Sequence, residues 1–206
     1  IHPIGILTII STFLGMVTTV QTPCQLVSDL IPRSIIGAIV RDSTILELSP
    51  TISGIVLAGK VGSSIASQIG TMRVTEQIDA LEIMGINSPG YLILPKIIAA
   101  VVTIPLLVII SIALSIWGGY IAGTLSGAVT GSDYIMGTTQ DFRGFTVTVS
   151  MIKAVIFAFI ITSVSAYQGF YTSGGAYEVG ISSTKGVVIS CIMILFADYV
   201  VAELLL

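Results

Sequence analysis

The sequence predicts an all-α integral membrane protein with about five membrane crossings. Of its 206 residues, 54% are hydrophobic and only 9% are charged, against roughly 25% charged in an ordinary soluble domain. Charged residues are absent from 1–28, 97–132 and 154–177. Each stretch exceeds the roughly 20 apolar residues that cross a bilayer as a helix. So few charges cannot cover a water-facing surface, and lipid must therefore be the main solvent of the fold.

The predicted spans cover 4–27, 48–70, 95–125, 147–171 and 184–206. Among the charges within these spans, Lys60 in the second and Asp198 well inside the fifth are singled out. Polar stretches at 28–47 and 127–144 and a glycine-rich turn at 172–183 connect the spans. Positive charges divide equally between the two faces of this topology, so they leave its orientation open.

A short segment at 71–84 differs from its surroundings. Its charges recur every three residues: Arg73, Glu76, Asp79 and Glu82. Val74, Ile78 and Leu81 fall on one face at the helical period. The pattern predicts a short amphipathic helix outside the membrane, with Gly70 ending the preceding helix and Thr71 capping the new one.

Several functions are excluded or disfavoured by composition. The net charge is −3 and basic clusters are missing, so nucleic acid is not an expected partner. His2 is the only histidine, which excludes a histidine-based metal site or a serine–histidine triad. Cys24 and Cys191 lie in apolar segments without metal-ligand spacing and are interpreted as packing residues. The turn at 173–176 lacks a nucleotide-binding motif, so no cofactor is expected in this chain.

The stretches at 57–66 and 70–86 resemble the signature of the MlaE-type permease family. Further similarities lie at 15–17 with Gln21, at 47–50, at 94–96, at 118–119, at 167–169 and at 174–176. Together they cover essentially the whole chain. Many members carry arginine where this chain has Leu46, so the family's head-group contacts do not transfer directly.

This resemblance implies one permease domain over 1–206 with five spans and a cytoplasmic coupling helix, working as a homodimer without catalytic residues. It implies a separate cytoplasmic ABC ATPase dimer that binds ATP-Mg, a lipid-binding partner with an MCE domain, and phospholipid as the substrate. The expected location is the bacterial inner membrane, with the chloroplast inner envelope as the alternative. Members of the family usually carry an N-terminal interfacial helix, which this sequence is expected to lack.

The amphipathic helix is the predicted coupling element, in contact with the ATPase through Arg73, Thr75, Glu76, Asp79 and Glu82. A rigid charged helix suits docking on a separate subunit, although a solvated connector helix would show the same pattern. The resemblance places this helix, and with it the N-terminus, on the cytoplasmic side.

Gln21, Glu47 and Lys60 are candidates for the lipid path. A lysine inside a span costs a few kcal/mol unless it pairs or faces water, so Lys60 lines a path or forms a structural pair. The position of Glu47 is equally consistent with a place at the membrane interface. The position of Gln21 is equally consistent with a hydrogen bond between helices. Asp198 is interpreted as a structural intramembrane polar residue with a partner.

Two other classes of function remain open from the residues alone. An ion-coupled secondary transporter of a small amphiphile would explain Lys60 and Asp198. A membrane-embedded enzyme would need a catalytic constellation that the sequence does not contain.

Overall fold

A computed structural model describes residues 3–25, 34–140 and 142–205, and these described residues form helices and connections without a strand. The elements are α1 (Pro3–Gln25), α2 (Ser34–Ser43), α3 (Ser49–Leu57), α4 (Ser63–Val74), α5 (Gln77–Ile83), α6 (Ser88–Leu92), α7 (Leu94–Leu125), α8 (Gly131–Thr139), α9 (Gly144–Phe170) and α10 (Ala176–Leu205), with π-helical segments π1 (Thr44–Leu48) and π2 (Ala58–Gly62). His2 and the side chain of Cys24 lie outside the described residues.

The predicted fold class is confirmed. Within the described residues, five helical stretches are long and apolar enough to cross a membrane: Ile4–Pro23, Ser34–Val74, Ser88–Leu125, Gly144–Phe170 and Ala176–Leu205. Their exposed side chains are mostly large and apolar, as a surface in contact with lipid requires.

The second span begins earlier than the sequence predicts. The polar stretch predicted at 28–47 is helical from Ser34 onward, and the helix runs to Val74. Arg41 does not end this helix because its guanidinium pairs with Asp42 at 2.8 Å and reaches carbonyl groups of α8. A charged residue can lie inside a long helix when other residues of the chain pair with it.

Two π-helical segments interrupt the second span. π1 lies directly before Pro50, whose ring nitrogen cannot donate to the preceding turn. The amide of Ser49 donates to the Thr44 carbonyl, five residues back, as in a π-helix. π2 contains Gly59 and Lys60. Such wide turns occur mostly as single insertions in α-helices and are frequent at functional sites.

The connections also differ from the predicted ones. The polar stretch at 127–144 contains α8, which the sequence pattern does not predict. The fifth span begins at Ala176 instead of 184, which confines the predicted glycine-rich turn to 171–175. The Glu178 carboxylate accepts a hydrogen bond from the Gly175 amide at 3.0 Å and so satisfies an N–H group at the start of α10.

The amphipathic segment is not the single helix predicted at 71–84. α4 continues through Gly70, because this glycine is buried against the Val179 side chain and serves close packing. The Thr71 hydroxyl donates back to the Ser67 carbonyl at 2.7 Å and does not cap a new helix. The helix breaks between Val74 and Gln77, and only the part of the predicted segment that follows, α5, forms the short helix outside the spans.

The chain divides into two compact units, and the boundaries between them fall within α3, α7 and α9. Unit 1 comprises Ile1–Ser53 and Leu106–Ile152, and unit 2 comprises Gly54–Pro105 and Lys153–Leu206. Each unit is therefore built from two separate stretches of sequence.

In unit 1, α1 packs against α7 through small residues. A side chain at Gly15 would overlap the backbone of Ser115. The Ser115 hydroxyl donates to the Ser11 carbonyl at 2.7 Å, and the hydroxyls of Ser11 and Ser111 are also 2.7 Å apart. Small residues and serine hydroxyls are typical of helix contacts in lipid, where close approach replaces the hydrophobic effect.

A second contact in unit 1 joins α2 to α8. Gly37 and Gly137 allow the two backbones to meet, and a side chain at Gly137 would overlap the Ser34 carbonyl. Tyr134 of α8 is 2% exposed and donates to the Ile116 carbonyl at 3.1 Å. Burial raises the pKa of the Tyr134 phenol, which keeps this donor protonated.

Arg41 fastens the end of α8. Its guanidinium donates to the carbonyls of Thr138 at 3.2 Å and Gln140 at 2.7 Å, pairs with Asp42, and lies 5.8 Å from the ring centroid of Phe142. The last carbonyl groups of a helix have no partner within it, and a cation at this end also opposes the helix dipole. The contact explains why Arg41 is only 4% exposed.

In unit 2, α4 packs against α9 and α10. A side chain at Gly169 would approach the Ala66 carbonyl to 2.6 Å. The Ser183 hydroxyl donates to the Ser63 carbonyl at 3.1 Å. Helix contacts in both units thus rest on small residues and on hydroxyl-to-carbonyl hydrogen bonds.

We expect Gly137→Ala to destabilise the protein by about 1–3 kcal/mol, the range for overpacking a close contact. The added methyl group would overlap the Ser34 carbonyl and separate α2 from α8. Thermal unfolding of the detergent-purified protein measures the effect. Gly144→Ala is the control, because a side chain there meets no atom within 4 Å; equal stability of the two variants would contradict the prediction.

Candidate functional site

The α4–α5 elbow is the first part of the candidate site. Thr75 and Glu76 form the break between the helices, and Glu76 has a φ of 59°, in the left-handed region. This conformation costs a non-glycine residue about 1–2 kcal/mol. Arg73 bridges the elbow to Asp79 at 2.6 Å, and its guanidinium lies 5.7 Å from the ring centroid of Phe170. The sequence-predicted residues Arg73 and Asp79 are therefore brought together as a brace.

α5 is anchored to unit 2 on one side only. Ile78 is fully buried in a cluster with Ile65, Ile69 and Ala166. Beyond the end of α5, the Ser88 hydroxyl donates to the Glu82 carboxylate at 2.8 Å and ties α5 to α6. The buried isoleucine and the Glu82 contact hold α5 at a defined place.

The free surface of α5 is partly apolar, which the sequence analysis missed. Thr75 and Glu76 are exposed at the elbow. At the other end, Ile83 is 87% exposed and Met84 is 65% exposed. A signal was present in the sequence, because neither residue shares the helical face of Ile78. An exposed apolar end on a short helix is typical of a protein contact surface.

A buried ion pair joins α9 to α10. The Lys153 ammonium lies 2.8 Å from the Asp198 carboxylate, with the lysine side chain fully buried and the aspartate 14% exposed. The partner of Asp198 was missed from sequence, although a lysine inside the predicted span at 147–171 was a usable signal. The pair neutralises two charges that would each be costly in a membrane.

The three predicted lipid-path residues are distributed over both units. Gln21 is exposed on α1, and Glu47 is half-buried in π1, both in unit 1. Lys60 is exposed in π2 of unit 2. Both charged candidates therefore lie in π-helical segments, a feature that no sequence pattern indicated.

Over the described residues, five candidate spans with an elbow between the second and third define a multi-pass helical membrane protein. A sequence model of the family described as Permease MlaE matches residues 1–204. The chain belongs to this family.

Named relatives agree with this assignment. A probable ABC transporter permease protein of Rickettsia bellii is 42% identical over 172 residues, which is 84% of this chain and 66% of the relative. One from Rickettsia prowazekii is 37% identical over 203 residues, 98% of this chain and 78% of the relative. The Arabidopsis thaliana chloroplast protein TRIGALACTOSYLDIACYLGLYCEROL 1 is 36% identical over 203 residues, 97% of this chain and 57% of the relative. The chain is thus an ABC transporter permease of the MlaE family.

We expect Lys153→Met to destabilise the protein by about 3–5 kcal/mol, because it leaves Asp198 without its cation in a buried site. Thermal unfolding and the yield of folded protein in membranes measure the effect. Lys153→Met combined with Asp198→Leu should recover most of the loss. Lys185→Met, at an exposed lysine of α10, is the single-site control, and an equal loss there would refute the role of the pair.

Proposed function

We propose that this permease moves phospholipids or related lipids between the inner membrane and an MCE-type lipid-binding partner. It works as a homodimer with two copies of a separate cytoplasmic ATPase, which holds ATP-Mg. The membrane is the bacterial inner membrane, with the chloroplast inner envelope as the alternative. The observation that carries the proposal is the α4–α5 elbow, which joins two long spans and presents an exposed helix outside them.

The elbow suits the transfer of force from a separate subunit. α4 is continuous with the second span, and the Arg73–Asp79 brace and the buried Ile78 fix α5 to it. A push on α5 would therefore move the second span as well, because the connection between them is stiff. A flexible loop in this place would absorb such a movement.

Contacts to the ATPase are divided between two kinds of residue. Arg73, Asp79 and Glu82 of the predicted contact set are engaged within the chain and position α5. Thr75 and Glu76, together with the apolar end of α5, form the surface that meets the partner. This division favours docking through shape and apolar contact, with charge at the rim.

Lipid as the substrate is supported by the name of the Arabidopsis relative, which contains the name of a glycerolipid. Glu47 and Lys60 are retained as path residues because both lie in π-helical segments of the second span. The pairing of Asp198 with Lys153 removes the support that an isolated carboxylate would lend to ion-coupled transport.

We expect Met84→Asp to reduce co-purification of the ATPase about tenfold or more, because it places a charge in an apolar contact. The measurement is the ratio of ATPase to permease after co-expression and affinity purification. ATP-dependent transfer of a labelled phospholipid by the reconstituted complex should fall in parallel.

Met136→Asp on α8 is the matched control. Met136 is 56% exposed, close to the 65% of Met84, and the proposed topology places it on the opposite side of the membrane. Co-purification should persist in this variant. Normal ATPase binding by Met84→Asp, or ATP-independent lipid transfer by the wild type, would refute the proposed function.

A further inference from the structure

One exposed helix face within the membrane spans is polar. Along π2 and α4, the residues exposed on this face are Lys60, Ser64, Gln68 and Thr71, with Ser63 and Ser67 half-buried beside them. The opposite face is buried and consists of isoleucine, alanine and glycine: Ile65, Ala66, Ile69 and Gly70. The exposed side of this segment is therefore its polar side.

This pattern is the reverse of that on other spans. On α1, α7 and α10 the exposed side chains include Ile9, Phe13, Val17, Ile98, Val102, Leu106, Val188, Ile192 and Leu195. Acyl chains offer no hydrogen bonds, so a helix face that meets them is apolar. A row of serine, glutamine, threonine and lysine needs water, another protein or a polar head group opposite it.

Lys96 adds a second cation to this row. Its ammonium donates to the Gln68 side-chain oxygen at 2.8 Å, and the Gln68 amide lies 3.5 Å from the Ser64 hydroxyl. Lys96 is half-buried and stands near the start of α7. An ammonium group carries three donors, and the contact with Gln68 uses one of them.

A shallow open pocket lies beside the row. It has a volume of about 400 Å³ and is lined by Ser67, Gln68, Thr71 and Met72. Its polar wall is the α4 face, and Met72 supplies an apolar wall. A pocket with both characters fits the region of a lipid where the head group meets the acyl chains.

The charge along the row is positive. The spans 48–72 and 94–105 contain Lys60 and Lys96 as their only charges. Of the carboxylates that follow the row, Asp79 pairs with Arg73, Glu82 accepts from Ser88, and Glu76 lies at the elbow beyond the end of α4. An anionic group is therefore the complementary ligand, and a phosphate can accept hydrogen bonds from one lysine and the hydroxyls beside it at each end of the row.

We propose that Lys60, Ser64, Gln68 and Lys96 form a binding track for the phosphate of an anionic phospholipid. The inference rests on the proposed function, since it takes lipid as the substrate. From Lys60 to Thr71 the helix rises by about 16 Å, roughly half of a 30 Å hydrocarbon layer. The track thus extends from the middle of the membrane to the side that carries α5.

A second copy of this chain is a poorer occupant. A two-fold interface brings the same surface patch of both subunits together. A two-fold interface centred on the polar face would place the lysines of one copy against those of the other, with no carboxylate between them. A phosphate-bearing lipid bound to each copy would instead neutralise the lysines of that copy.

The test measures phospholipid retained by the purified full-length permease. The protein in detergent is incubated with phosphatidylglycerol, and bound lipid per chain is counted by native mass spectrometry. Lys60→Gln combined with Lys96→Gln should lower the bound phosphatidylglycerol about tenfold or more, because charge-assisted hydrogen bonds are lost. Lys60→Arg combined with Lys96→Arg should retain most of it, and Lys185→Gln should match the wild type.

Four outcomes would overturn the track. They are wild-type retention by the double glutamine variant, equal retention of uncharged diacylglycerol by the wild type, displacement of the lipid by millimolar inorganic phosphate, and conversion of the double glutamine variant to a monomer as it loses lipid. The last would assign the face to an interface between copies. Failure of the track is distinguishable from failure of the proposed function, because ATPase co-purification and its loss in Met84→Asp do not depend on Lys60 or Lys96.

Discussion

A charge buried in a membrane protein needs a partner that neutralises it, and this requirement governs the placement of the buried charged residues here. A central lysine, arginine or aspartate costs about 2.5–3.5 kcal/mol in a spanning helix. Lys153 meets the requirement through Asp198 in unit 2, and Arg41 meets it through Asp42 and the end of α8 in unit 1. The Lys153–Asp198 pair joins α9 to α10, and Arg41 joins α2 to the end of α8, so neutralising these charges also helps to determine which helices pack together.

The same requirement explains how much of the fold the sequence could predict. Long charge-free stretches identify spans well, because apolar length is a local property. The residues that pair with a charge are not local in sequence. Arg41 resembles a charge in a loop, and only the structure shows that α8 packs against it. For this reason the stretch predicted as a polar connection is helical from Ser34 onward. Gly70 shows the same limit, because a glycine that ends a helix and a glycine that permits close packing look alike in sequence. The turn at Glu76 carries no glycine signal at all.

The predicted coupling segment forms an exposed elbow, and its residues take other roles in the structure than the sequence pattern indicated. Charge periodicity drew attention to Arg73, Asp79 and Glu82, and the structure engages these residues in bracing the elbow. The exposed apolar end, Ile83 and Met84, stands out only when burial is known. A short helix needs such bracing, since seven residues do not hold a helical shape in water by propensity alone.

The second span combines two roles that are usually kept on separate helices. Its buried side uses Ala66 and glycines to approach α9 and α10, while its exposed side carries Lys60 and the hydroxyls that follow it. Its far end continues into the elbow. Because one rigid segment bears both the polar face and α5, a displacement of α5 would shift the polar face by a similar amount. Under the proposed function, ATP hydrolysis would be coupled to lipid movement through this helix directly, without a relay through other elements.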